Sequence, residues 1–282
     1  MIETNDPGRT RLAVLGSPIA HSRSPLLHRA AYAALGLPWT YERHEIGEGG
    51  LEAFLLGLDR SWRGCSLTMP LKREALDLVQ EASPVAMLTK AVNTLSFVDG
   101  VVRGHNTDVR GVVTALRTNG VASPRDPWIL GAGATAGSVI AALGRMGAPK
   151  VRVTARRPAQ AAALTGLANK FNVDLQVVPW DRNTKVDHAD LVVNTIPQWS
   201  PEAGLAFPED VRRHVPLFEV VYDPWPSPLA DGWFEADGKV ISGLEMLLHQ
   251  AVAQVRIFAT GDENAPLPDE QAVLAAMRQS IA

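Results

Sequence analysis

Lys72 and Asp108 are the residues from which proton transfer is most readily built. A lysine ammonium can exchange a proton with a substrate hydroxyl, and a carboxylate beside it can orient it or share the proton. Each also has a structural reading. Pro70 predicts a helix running to about residue 79, which puts Lys72 in its first turn, and Asp108 is placed to N-cap a helix predicted from Gly111. Ser22 and Ser24 flank Arg23 at the mouth of a helix predicted over 25–35. Two hydroxyls at a helix N-terminus form a natural cradle for a carboxylate, and Ser24 also suits the N-cap, with Pro25 at the first helical position. Gln250 sits on the flank of an apolar stripe made by Leu247, Ala251, Val255 and Phe258. Cys65 reads as a packed strand residue, because no base is evident beside it.

A second chemistry belongs to the run Gly131-Ala132-Gly133-Ala134-Thr135-Ala136, which has the form G-x-G-x-x-A. It comes after a strand predicted over 128–130 and precedes a helix predicted to about residue 146. In that setting the first glycine allows the tight turn, and the second lets a pyrophosphate approach the N–H groups at the helix start. The next predicted strand, 151–154, leads into Ala155, Arg156, Arg157 and Pro158, without a carboxylate. An NAD site usually has an acidic residue there, whereas guanidiniums suit the 2′-phosphate of NADP.

Two strand–helix series must position these groups. They separate near residue 110, with a second boundary near Gly243, giving an α/β protein of two domains: 1–110 plus 246–282, and 111–245. The first series has strands at 12–15, 39–46, 65–68, 93–98 and 101–104, the last two joined by the hairpin signal Asp99-Gly100, and a helix over 51–58. The second has strands at 128–130, 151–154, 175–178, 191–194 and 217–222. The last clear helix is 244–258. Strands alternating with helices predict parallel sheets with crossover helices. The 282 residues suit two cores. A net charge of -3 and a pI near 6.2 argue against a nucleic-acid or anionic-lipid partner. One cysteine excludes an intrachain disulfide and fits a reducing cytoplasm. Residues 1–10 are polar, lacking the apolar core of a signal peptide. The uncharged run 128–144 is broken by glycines and is too short for a membrane span. The seven histidines lack metal-ligand spacing.

Taken in order, seven motifs make the chain resemble the shikimate dehydrogenase family. They are GSPIAHSRSP at 16–25, SLTMPLK at 66–72, AVNT at 91–94, NTD at 106–108, the glycine loop, YDPWPSPL at 222–229 and GLEMLLHQ at 243–250. The wording of the first and last is most similar to actinobacterial members. The resemblance implies an N-terminal α/β substrate domain, a Rossmann NADP domain and C-terminal helices returning to the first domain. It implies a cytoplasmic enzyme of chorismate biosynthesis that reduces 3-dehydroshikimate to shikimate, with a homodimer left open. Ser22 and Ser24 would hold the substrate carboxylate. Ser66, Thr68, Lys72, Asn93, Asp108 and Gln250 would surround its ring, with Lys72 and Asp108 handling the proton and Tyr222 bordering the substrate. Gly131, Ala132, Gly133, Ala134, Thr135, Arg156 and Arg157 would hold NADP, and Val220 and Gly243 would line the nicotinamide pocket.

Five positions depart from the family pattern. Ser66 stands where asparagine is usual, Lys90 where glycine is usual before AVNT, Ala134-Thr135 where Gly-Ala is commoner, and Ala155 where an asparagine accompanies the arginine. The alternatives are a quinate/shikimate dehydrogenase and a non-catalytic NADP-binding sensor. Ser24 and Arg156 speak against the first, and retention of Lys72 and Asp108 against the second.

Overall fold

The computed structural model describes residues 10–181, 188–197 and 207–282, so most of the polar start lies outside them. The chain divides into two compact units, Met1–Gly111 with Leu247–Ala282, and Val112–Met246.

The first unit carries β1 (Arg11–Gly16), α1 (Ser24–Ala34), β2 (Thr40–Glu45), α2 (Leu51–Leu56), β3 (Trp62–Leu67), α3 (Glu74–Leu78), β4 (Glu81–Ala82), α4 (Pro84–Thr89), β5 (Thr94–Val98), β6 (Val101–His105) and the first residues of α5 (Asp108–Thr118). Its sheet has the order β2-β1-β3-β5-β6-β4. The expectation of a parallel sheet fails here. β5 runs antiparallel to both β3 and β6, so the sheet is mixed. Asp99 and Gly100, at φ 51° and 79°, form the tight turn the dipeptide signalled, and a tight hairpin can only return its strand antiparallel. Leu15, Cys65, Leu67, Leu71, Val92 and Leu95 form the core on one face. Burying a leucine of this kind stabilises the fold by about 2 kcal/mol.

The second unit carries β7 (Pro127–Leu130), α6 (Ala134–Arg145), β8 (Lys150–Thr154), α7 (Pro158–Ala162), α8 (Thr165–Lys170), β9 (Asp174–Val178), β10 (Leu191–Asn194), α9 (Glu209–His214), β11 (Leu217–Glu219), α10 (Pro228–Phe234) and β12 (Val240–Ser242). Its sheet, β9-β8-β7-β10-β11-β12, is parallel throughout and is the doubly wound dinucleotide order. Two buried tryptophans show how its core resolves their polar edges. Trp128 Nε1 donates to Thr154 Oγ1 at 2.8 Å, and Trp233 Nε1 donates to the Val215 carbonyl at 2.8 Å. Two further helices come last, α11 (Gly243–Thr260) and α12 (Glu270–Gln279).

Two local expectations need correction. Helix α1 begins at Ser24, so Ser24 is its first helical residue and Arg23 holds the cap position without a side-chain bond. Residues 70–73 form turns and α3 begins only at Glu74, so Lys72 precedes the helix. Lys90, the C-cap of α4, stands in the left-handed backbone region at φ 50°. Just before Ala91, such a conformation imposes strain on a non-glycine residue.

Candidate active site

The candidate proton-transfer cluster is assembled from four segments of the first unit. Lys72 Nζ donates to Asp108 Oδ2 at 2.6 Å, with side chains 14% and 5% exposed. Asp108 is the first residue of α5 rather than a cap ahead of Gly111, and its other oxygen accepts from Asn93 Nδ2 at 2.9 Å. Its own N–H donates to Asn106 Oδ1 at 3.0 Å, which fixes the start of the helix. Asn93 in turn accepts from the Thr107 N–H at 2.8 Å and donates to Gln250 Oε1 at 3.2 Å. The backbone ties Lys72 to the same place, since the Val92 N–H donates to the Lys72 carbonyl at 2.7 Å. Lys72, Asn93, Asp108 and Gln250 thus form one buried cluster, although 178 positions separate its ends in the chain (250 − 72).

Thr68 lies half-buried in the turn after β3, and its N–H donates to the Leu15 carbonyl at 2.9 Å. Gly16 makes that approach possible. A Cβ there would meet Thr68 Cγ2 at 2.3 Å and the Met69 carbonyl at 2.8 Å. Ser22 and Ser24 are both buried at the start of α1, whose first turn has no acidic residue, and the Ser22 hydroxyl accepts from the Ser24 N–H at 3.3 Å. Arg43 on β2 holds the Ser22 carbonyl through two bonds, of 3.0 and 2.7 Å, and so fixes the serine loop.

Ser66 behaves differently. Its hydroxyl accepts from Tyr41 Oη at 2.6 Å and donates to Gln254 Oε1 at 2.8 Å, both inside the protein. Neither Tyr41 nor Gln254 stood out in the sequence. The available signal was the spacing of Gln250 and Gln254, four apart and hence on one helix face. His28, stacked on Tyr41 with ring centroids 4.0 Å apart, donates Nδ1–H to the Ser24 carbonyl at 2.9 Å. Burial lowers its pKa to about 4, against a raising contribution from that hydrogen bond.

In the second unit the candidate residues gather along the carboxyl ends of the strands, where open α/β sheets bind ligands. Gly131 comes directly after β7 with φ 101°, and a Cβ would meet Thr195 Oγ1 at 2.5 Å, so the turn requires glycine. Gly133 is different: its backbone is ordinary, and a Cβ would meet no protein atom within 4 Å. Glycine there leaves the backbone open to close approach from outside. Ala132, Ala134 and Thr135 complete the loop and the first turn of α6, which has no side-chain cap and no acidic residue. Such a helix start suits a pyrophosphate. Arg156 and Arg157 are exposed just past β8 and make no ion pair among the described residues. Val220 and Gly243 lie just past β11 and β12 and touch, since a Cβ on Gly243 would lie 2.0 Å from the Val220 carbonyl oxygen. Tyr222 lies half-buried two residues beyond Val220.

A group the sequence did not announce holds that edge together. Glu219 is fully buried, and its carboxylate accepts from Asn194 Nδ2 at 3.0 and 2.9 Å, from the Val221 N–H at 3.1 Å and from Ser227 Oγ at 2.7 Å. Burial pushes its pKa up, against those three partners. Among the described residues there is no cluster of three or more His, Cys, Asp or Glu that would hold a metal ion, and no helix long and apolar enough to cross a membrane.

A parallel sheet with a glycine loop and two exposed arginines at its carboxyl edge, joined in one chain to a unit holding a largely buried lysine–carboxylate pair, defines the class: a dinucleotide-dependent oxidoreductase. Residues 14–95 match the shikimate dehydrogenase substrate binding domain family. The shikimate dehydrogenase (NADP(+)) of Thermus thermophilus is 36% identical over 279 residues, covering 96% of this chain and 98% of that protein. Two crystal structures are similar throughout. The shikimate dehydrogenase of Mycobacterium tuberculosis has a TM-score of 0.81 at 39% identity, covering 96% of this chain and 99% of that one. The T. thermophilus enzyme, solved in complex with NADP(H) and shikimate, has a TM-score of 0.80 at 33% identity with the same coverage. The chain belongs to the shikimate dehydrogenase family.

Proposed function

We propose that the protein reversibly reduces 3-dehydroshikimate to shikimate with NADPH, as a step in chorismate and aromatic amino acid biosynthesis. The Lys72–Asp108 pair carries the reading. It places a proton donor and its orienting base together, dry enough to hold a fixed geometry. The nicotinamide, when bound, supplies the hydride in reduction and accepts it in oxidation. Lys72 Nζ gives the substrate oxygen its proton in reduction and takes it back in oxidation, while Asp108 keeps the ammonium aimed. Thr68, Asn93 and Gln250 hold ring hydroxyls, and Ser22 and Ser24 hold the carboxylate at the start of α1. A buried partner for each hydroxyl rejects analogues that lack one, because the protein's own polar group would be left unpaired.

In this reading the first unit binds substrate and the second binds NADP. Gly131 to Thr135 take the pyrophosphate, Arg156 and Arg157 the 2′-phosphate, and Val220 and Gly243 border the nicotinamide, with Tyr222 on the substrate side. We assign the enzyme to the cytoplasm on its single cysteine, and a homodimer is the assembly to look for by light scattering. The test is steady-state turnover of shikimate and quinate, each with NADP and NAD. Preference for shikimate with NADP supports the assignment, preference for quinate or NAD overturns the pocket assignments, and no turnover with any pair leaves the sensor reading in its place.

A further inference from the structure

Behind the catalytic pair runs a buried chain of hydrogen bonds whose direction is fixed at both ends. The Asn93 carbonyl can only accept, so the Gln254 group lying 3.0 Å from it is the amide nitrogen, which also donates to Thr94 Oγ1 at 2.9 Å. Gln254 Oε1 therefore faces Ser66 and accepts its one hydroxyl hydrogen at 2.8 Å. With that hydrogen committed, Ser66 can only accept from Tyr41 Oη, at 2.6 Å. On the other side Thr94, having accepted from Gln254, donates to Asn93 Oδ1 at 2.9 Å. Asn93 Oδ1 being an acceptor, its Nδ2 faces Asp108 Oδ1 at 2.9 Å, and Asp108 Oδ2 takes Lys72 Nζ at 2.6 Å. Tyr41, Ser66, Gln254, Thr94, Asn93 and Asp108 are each at most 3% exposed, so solvent cannot replace a missing partner.

We propose that Gln254 is a positioning residue for the Lys72–Asp108 pair, held in register by Ser66 and Tyr41. Ser66 then serves this chain through its hydroxyl and gives the substrate no hydrogen of its own. The inference deepens the proposed function and rests on it for its kinetic readout. Gln254 does not touch the reacting atoms. It fixes where Asn93 stands, and Asn93 fixes the carboxylate that aims the lysine. Gln250, one turn earlier on α11, reaches Asn93 Nδ2 directly. Helix α11 thus grips the same asparagine at its side chain and at its backbone.

The experiment compares Gln254→Met, Gln254→Glu, Ser66→Ala and Tyr41→Phe with the wild type. Each is assayed for kcat and KM in shikimate oxidation, and for competitive acetylation of the six lysines, read on the Lys72 peptide by mass spectrometry. Labelling needs no turnover, so a wild type inactive on shikimate would remove the proposed function while leaving this inference still testable. Gln254→Met should lower kcat about 10-fold with KM within about 2-fold, and raise Lys72 labelling about 3-fold relative to the other lysines. Gln254→Glu keeps the acceptor for Ser66 but sets a carboxylate against the Asn93 carbonyl, and should resemble Gln254→Met in kcat. Ser66→Ala and Tyr41→Phe should show smaller effects, in that order. Tyr41→Phe preserves the ring stacked on His28 and keeps the test available should Gln254→Met not fold. Wild-type kcat and labelling in the folded variants would overturn the proposal. So would parallel losses of kcat, affinity and thermal stability with Lys72 labelling unchanged, which would make Gln254 a structural residue only.

Discussion

Replacing Lys72 by methionine should damage stability and catalysis together, and the two effects can be separated. Lys72 and Asp108 meet at 2.6 Å with little exposure. Removing one partner of so dry a pair strands the other charge, at about 3–5 kcal/mol. Asp108 would keep the Asn93 amide at 2.9 Å, which offsets about 1 kcal/mol. The net loss is then about 2–4 kcal/mol, and at roughly 2 °C per kcal/mol for a chain of this size Tm should fall by about 4–8 °C. The double variant Lys72→Met with Asp108→Asn removes both charges and should recover about 1–2 kcal/mol of that loss. Catalysis should not recover. We expect kcat to fall at least about 100-fold in the single variant with KM little changed, and the double variant to be equally inactive. Calorimetry and initial-rate assays on the wild type, the two single variants and the double complete the cycle. A Lys72→Met enzyme with kcat within about 3-fold of wild type would remove the lysine from the mechanism. A double variant less stable than Lys72→Met would refute the stranded-charge argument.

Three further outcomes are expected from the same geometry. Gly133→Ala meets no protein atom and leaves an ordinary backbone, so stability should stay within about 0.5 kcal/mol. KM for NADP should nevertheless rise at least about 10-fold, and an unchanged KM would show that nothing approaches that backbone closely. Replacing Arg156 and Arg157 by alanine should raise KM for NADP far more than for NAD, and equal effects on the two would sink the 2′-phosphate assignment. The pH dependence of stability should carry the mark of His28. With a native pKa near 4 and an unfolded value near 6.5, the native state binds fewer protons between them. This contribution is complete above about pH 6.5 and is lost as pH falls toward 4, on the order of 3 kcal/mol in all. His105, lowered to about 4 chiefly by burial and further by Arg103, acts in the same sense. Urea unfolding at pH 7.5 and 5.0 measures the difference, and His28→Phe should reduce it by about 2 kcal/mol. A difference unaltered in His28→Phe would contradict the buried neutral imidazole.

Where the sequence was legible, the reason was local. The glycine loop, the strand before it and the helix after it lie in one short continuous stretch, Pro127–Arg145, and the turn at Asp99-Gly100 is as local. The place of the arginines just past β8 was legible because that strand directly follows the glycine loop and its helix, and the doubly wound order puts cofactor-selecting positions there. What escaped depends on pairings across long stretches of chain. Gln254 reaches Asn93 across 161 positions, and Tyr41 reaches Ser66 across 25, and no local pattern encodes either. Glu219 escaped for another reason. A carboxylate in an apolar strand reads as a surface residue, and only the arrival of Asn194, Ser227 and the Val221 N–H explains its burial. Lys72 was placed a turn too early in a helix, because Pro70 signals a helix start as readily as the turn it occupies here.

The parallel sheet of the second unit also divides the consequences of sequence drift. Gly131, Arg156, Val220 and Gly243 all leave the sheet from the same ends of their strands. The connections entering the opposite ends, such as the turn at Gly147 ahead of β8, carry none of the candidate residues. In the proposed reading, changes at the entering ends register as stability alone, whereas changes at leaving-end positions with open or exposed surroundings, such as Gly133, Arg156 and Arg157, alter cofactor affinity while the fold stands. Two lineages descended from one such unit can therefore diverge in cofactor preference without passing through an unfolded ancestor.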